Sequence, residues 1–279
     1  MFGFSSTQAY LEKFGIHADL FRYLIVGGLI FTRFFIMTQF VPFWGGRPIP
    51  GRVRISLSVA FLIFFFGPVY EANTVPVPGG GILFVMFMKE ILFGMLMGLS
   101  LSIIFYGIQS AGNMIDNQRQ LANARIFNPA LGGQSSLFGV FYYQFSLVIF
   151  LTLGGHRMFI AALARSFQFV PIMSLPPVML HPADHPMIDL MIRLAANTLL
   201  VTLQLAAPVL VAIFIADLIL GLTNRVAPMI NVFEMGFNIK GFVGNLLAYL
   251  SIPLVFYQMK VFFLQALDNV EKLMRYFMK

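Results

Sequence analysis

Twenty-three consecutive residues, Leu194 to Ala216, carry no charged side chain. That length matches the roughly 20 residues an α-helix needs to cross the hydrocarbon of a bilayer. Facing lipid, the run can only be helical, because an isolated strand would leave backbone N–H and C=O groups without partners. Five further apolar blocks accompany it: Leu20–Trp44, Ile55–Tyr70, Ile82–Ile108, Leu137–Gly155 and Gly241–Met259. The block Ile55–Tyr70 is short for a perpendicular crossing. Composition agrees, with 59% of residues hydrophobic and only 10% charged, where a soluble domain carries about 25%. Soluble globular, disordered and collagen-like classes are excluded. The expected fold is all-α: a polytopic membrane protein of six apolar helices, with residues 1–279 forming one membrane-embedded body and no internal repeat.

The net charge of +7 does not point to nucleic acid. The basic residues stand at the ends of apolar runs, where lysine and arginine reach lipid headgroups. The absence of cysteine excludes a disulfide framework and a thiolate nucleophile. Glu12, Lys13 and Asp19 precede the first apolar block, so a cleaved signal peptide is not expected. Arg47, Arg52 and Arg54 form the most basic loop, but Lys272, Arg275 and Lys279 fall on the opposite side, so loop charge selects no orientation. Gly27-Gly28, Pro68, Gly94, Gly98, Pro208 and Pro253 interrupt the apolar blocks. They are either ordinary membrane-helix residues or sites where helices bend or form hairpins. Gly94 and Gly98 form a G-x-x-x-G, which permits close helix approach.

No G-x-S-x-G, H-E-x-x-H or phosphate cradle is present, and no catalytic or metal-ligating residue is assigned. His181 and His185 stand four apart, but Pro182 and Pro186 flank them and favour an extended loop. Charges within or at the edges of the apolar blocks carry more information, since each costs about 2.5–3.5 kcal/mol at a helix centre. Arg33, Lys89, Glu90, Asp217 and Arg225 should therefore pair across helices or subunits. Lys89 and Glu90 are neighbours about 100° apart on a helix and do not face each other squarely. The segment from Gln109 to Ser136, dense in Asn, Gln and Gly, is too polar to face lipid. Loops beyond about 12–15 residues are usually functional or disordered. This one either connects helices through water or lines an aqueous conduit.

The order of certain residues resembles the FliR/SctT family, export-gate membrane proteins of flagellar and injectisome type III secretion systems. Arg33, Pro42, Pro50 and Arg52-Val-Arg54 open the match. It continues through Lys89-Glu90, Gly94 and Gly98, then Gly112-Asn-Met-Ile-Asp116-Asn-Gln118-Arg119, Asn128-Pro129 and Gly155-His156. Ser166, Pro171, Ala216-Asp217, Arg225-Val-Ala-Pro228, Asn231-Val-Phe233, Gly236-Phe237 and Lys240 complete it. The resemblance implies one copy of this chain packed in a helical assembly with several copies of two smaller export-gate membrane subunits. A switch/export membrane protein and the cytoplasmic export apparatus would be further partners. Unfolded protein substrates would cross the inner membrane through the gate, with no enzymatic activity and no cofactor. In that family the long polar loop is a channel plug. Carried over, it falls on about residues 112–133, with Gly112, Met114, Asp116, Gln118, Arg119, Asn123, Arg125, Phe127, Asn128 and Pro129 as its site residues. The polar members would face the conduit, and Met114 and Phe127 would help seal it. Asp116-Asn-Gln-Arg119 and Asn128-Pro129 favour the injectisome branch. Gln120 stands where that branch usually has glycine, and the Pro50 turn and Gly155-His156 suit a flagellar protein as well. A different class of reading is a self-sufficient small-solute transporter using Asp217 and Lys89 at a midplane site.

Overall fold

The computed structural model describes residues 20–44, 49–73, 78–119, 136–175 and 186–277, and no strand occurs among them. In chain order the elements are α1 (Leu20–Phe40), a 3-10 turn (Pro42–Trp44), α2 (Gly51–Ala72), α3 (Gly80–Gln118), α4 (Leu137–Thr152), α5 (Gly155–Phe169), α6 (Pro186–Val226), α7 (Val232–Leu250) and α8 (Ile252–Phe277). Helices α1, α2, α3 and α6 are each long and apolar enough to cross a membrane. The interrupted pairs α4–α5 and α7–α8 raise the number to six if each pair makes one crossing. The all-α polytopic expectation is thereby met.

Helix lengths differ from the apolar blocks for a physical reason. Block Ile55–Tyr70 lies inside the 22-residue α2, about 33 Å long at 1.5 Å per residue, enough for a hydrocarbon core of about 30 Å. Hydropathy stops at Arg54, but the helix does not. Arg54 donates from Nη1 to Gln39 Oε1 at 2.7 Å, so the first turn is tied to α1. Helix α3 likewise continues past the apolar block to Gln118. Gly27-Gly28, Pro68 and Pro208 all lie within continuous helices. The interruptions fall elsewhere. Gly154 takes φ 72° between α4 and α5, a conformation open chiefly to glycine. Ser251 separates α7 from α8 across a 58° bend, and Pro253 sits in the first turn of α8, where a missing N–H costs little.

The chain divides into two compact units, one drawn from Met1–Ser102, Arg157–Leu190 and Asn269–Lys279, the other from Ile103–His156 and Met191–Asp268. The core of the first is aromatic. Phe34 on α1 stacks on Phe61 and Phe65 of α2 at 5.0 and 5.3 Å, and Trp44 meets Phe61 and Phe159. Gly94 and Gly98 bring α3 onto α1. A Cβ at Gly94 would lie 2.6 Å from the Arg33 carbonyl oxygen, and one at Gly98 would lie 2.8 Å from Phe40 Cβ. The G-x-x-x-G reading is realised within the chain. In the second unit Phe105, Phe150 and Phe263 pack mutually at 4.9–5.4 Å, joining α3, α4 and α8. Thr202 on α6 donates to the Gly107 carbonyl at 3.0 Å. Lipid is as apolar as these side chains, so the drive for such contacts in a bilayer is packing and hydrogen bonding rather than escape from water.

Candidate functional site

The first unit holds a charge cluster with no access to solvent. Arg33, Lys89 and Glu90 are each 0% exposed. Arg33 donates from Nε and Nη2 to the two carboxylate oxygens of Glu90, at 2.5 and 3.0 Å. Its Nη1 reaches Ser166 Oγ at 3.1 Å, and Nη2 also reaches the Val170 carbonyl at 2.8 Å. The guanidinium lies against the rings of Phe93 and Phe167, at 4.8 and 4.4 Å. Lys89 Nζ meets Glu90 Oε1 at 2.9 Å and donates to the carbonyls of Pro171, Ile172 and Ser174 at 2.7, 2.9 and 3.0 Å.

Two cations and one anion leave a net charge of +1 in a buried interior. The carbonyls of Val170, Pro171, Ile172 and Ser174 offset it; they follow the C-terminal end of α5, where carbonyl dipoles attract cations. The cluster therefore ties α1, α3 and the end of α5 together. Lys89 and Glu90 do meet directly, despite their angular separation, because the long lysine side chain folds back onto its neighbour. With its donors and acceptors engaged on fixed partners, the cluster serves as a structural lock.

The second unit contains the ends of the polar segment. The expectation placed Gly112, Met114, Asp116 and Gln118 on a loop; they lie instead on the last turns of α3, with Arg119 in the turn that follows. Asn123, Arg125, Phe127, Asn128 and Pro129 lie outside the described residues, as do His181 and His185. Met114 and Gln118 are exposed, but Asp116 and Arg119 are only 3% and 7% exposed. They turn into the protein rather than toward a conduit, because three donors there claim the Asp116 carboxylate. Its Oδ2 accepts from Ser136 Oγ and from the Phe138 N–H at 2.9 Å, and its Oδ1 accepts from Arg119 Nη1 at 3.3 Å. Ser136 is the N-cap of α4 and accepts from the Gly139 N–H at 2.8 Å. Glycine is required on both sides of this contact: a Cβ at Gly112 would strike the Phe138 carbonyl, and one at Gly139 the Asn113 side chain. Arg119 lies over the Phe138 ring at 4.9 Å. Its aliphatic stem fills the space of an absent side chain at Gly244 on α7, where a Cβ would come within 2.7 Å.

Asp217 on α6 pairs with Lys240 on α7, beside a cavity of about 230 Å³ also lined by Gly221, Phe233 and Gly236. The expected inter-helix pairing of Asp217 is found. Arg225 is exposed near the end of α6 and makes no ion pair among the described residues, which leaves pairing across subunits as the expectation for it. Ser136, Lys240 and Gly244 are contributors that sequence reasoning assigned no role. A signal for two of them existed, since Gly236, Lys240, Gly244 and Ala248 recur every four residues and form the buried face of α7.

Four to six apolar helices, with buried charges neutralised inside protein rather than offered to lipid, define a multi-pass all-α membrane protein. The chain belongs to a family described as bacterial export proteins, family 1, whose profile matches residues 24–266. It is 31% identical over 225 residues to the flagellar biosynthetic protein FliR of Pectobacterium carotovorum subsp. carotovorum, covering 81% of this chain and 83% of that protein. It is 30% identical over 231 residues to the Yop proteins translocation protein T of Yersinia pestis, covering 82% and 87%. FliR of Bacillus subtilis aligns over 256 residues at 24% identity, covering 92% and 96%. Flagellar and translocation relatives match at nearly equal identity, so the injectisome preference rests on the Asp116–Arg119 and Asn128-Pro129 motifs alone.

Proposed function

We propose that this chain is a non-enzymatic core subunit of a type III export gate in the bacterial inner membrane. It supplies part of the channel wall for unfolded protein substrates, and the polar segment that follows α3, from Arg119 to about residue 133, is the closing plug. The motifs favour an injectisome over a flagellar system. Its partners on this reading are two smaller export-gate membrane subunits in several copies, a switch/export membrane protein and the cytoplasmic export apparatus. The observation that carries the reading is the base of that segment. In a chain with 10% charged residues, the helices on either side of a stretch too polar for lipid meet at one buried carboxylate, Asp116. Such a segment belongs in water or in an aqueous path enclosed by protein. Family membership supports the export role, and the paired buried charges support a static wall.

The test is single-channel recording of the purified assembly in a planar bilayer. Replacing residues 121–134 by a short Gly-Ser bridge keeps Asp116, Arg119 and Ser136, so the assembly is expected to form normally and to leak ions. An assembled complex with unchanged conductance overturns the plug.

A further inference from the structure

We propose that Asp116 is a positioning residue that clamps the two ends of the polar segment at a fixed separation, and that Arg119 ties this clamp to α7 through Gly244. Each part of the clamp is built from described groups. One carboxylate takes a hydroxyl, a backbone N–H and a guanidinium. The hydroxyl is itself the N-cap of α4, so Asp116 stabilises both the cap and the positive end of that helix. Gly112 lets α3 approach the backbone of α4 at Phe138 to a distance no side chain would allow, and Gly139 leaves room for the Asn113 side chain.

The link to α7 has an equally simple basis. Gly244, on the buried face of α7, receives the Arg119 stem. Four residues earlier on the same face, Lys240 pairs with Asp217 of α6. A displacement of α7 would therefore reach the Asp116 carboxylate through one side chain, Arg119. The clamp is thus placed where motion of the α6–α7 pair can release the ends of the segment. The effect on leak rests on the plug reading; the clamp itself does not.

The chain has no cysteine, so an introduced pair reports unambiguously. Spin labels at Met114→Cys and Leu137→Cys occupy exposed positions on the two sides of the clamp. They are measured by pulsed dipolar spectroscopy on the full chain in its purified assembly. A single narrow distance is expected. Asp116→Ala removes all three acceptor contacts, and the narrow distance should be lost. Asp116→Asn retains an oxygen for Ser136 and Phe138, and should largely restore it. Gly244→Val, which leaves Asp116, Ser136 and Phe138 unchanged, should broaden the distance by expelling Arg119. It also serves as the test if Asp116→Ala does not assemble. An unchanged distance in Gly244→Val would overturn the link to α7, and an unchanged distance in Asp116→Ala would overturn the clamp. Conductance is read on the same samples. Broadening without leak supports the clamp and defeats the plug, whereas leak without broadening defeats the clamp and leaves the plug standing.

Discussion

Glu90 stands between two cations, all three side chains fully buried. Glu90→Gln keeps the shape but leaves Arg33 and Lys89 both charged in the interior, and breaking a buried pair in this way costs about 3–5 kcal/mol. Lys89→Met should cost less, because Arg33 and Glu90 remain a neutral, bidentate pair and only the carbonyls after α5 lose a donor. Thermal unfolding in detergent should therefore rank Glu90→Gln well below Lys89→Met, with the double variant recovering part of the loss. Glu271→Gln removes the partner of Arg275 in an exposed pair and should move the midpoint little. Glycines divide by the same logic. Gly94→Ala drives a methyl group into the Arg33 carbonyl, whereas Gly67 has open space and gains up to about 1 kcal/mol of helix propensity as alanine. That Arg33, Lys89 and Glu90 needed partners was legible, because intramembrane charge is costly whatever the fold. Which partners they took was not, since Ser166 and the carbonyls from Val170 to Ser174 come from a distant stretch of chain with no charge to announce it.

At the scale of elements, the apolar blocks fall on each of the four to six candidate spans but misjudge the ends, because a helix continues wherever its backbone groups stay paired. Helix α3 runs ten residues beyond Ile108, through Gln, Ser, Asn and Asp, and so carries Asp116 to the start of α4. Helix α4 starts where it does because Ser136 caps it, and the effect of that cap can be measured. Ser136→Ala removes the acceptor for the Gly139 N–H and a donor to Asp116, a loss typically near 1 kcal/mol. Hydrogen exchange at the Phe138 and Gly139 amides should accelerate roughly fivefold for that free energy, while amides in the middle of α4, such as Phe145, stay unchanged. Uniform acceleration along α4 would mean that Ser136 supports the whole helix rather than its first turn.

For the molecule as a whole, α6 limits how much apolar surface lipid can cover. From Leu199 to Ala216 the helix rises about 26 Å at 1.5 Å per residue, which fits a hydrocarbon core of about 30 Å. Asp217 and its pair with Lys240 then mark a polar level. Beyond it the exposed surface carries Leu218, Ile219, Leu222 and Val226 beside the exposed Asn224 and Arg225, with Val226 86% and Met229 99% exposed. Burying Leu199 to Val226 together, about 40 Å of helix, would require a tilt near 42°, past the usual range of up to about 40°. It would also draw Asp217 into the hydrocarbon. The far end of α6 and the turn after it are therefore expected to meet protein, in keeping with the proposed export-gate assembly. Single cysteines at Val211, Leu222 and Val226 in the cysteine-free chain, treated with a membrane-impermeant maleimide in opened vesicles, test this directly. Val211 should stay unlabelled whether the chain is expressed alone or with the other export components. Leu222 and Val226 should label in the lone chain and be protected in the assembly. Equal labelling at those two positions in both preparations would mean that no partner covers the protruding end, and that the excess apolar surface meets water in the working complex.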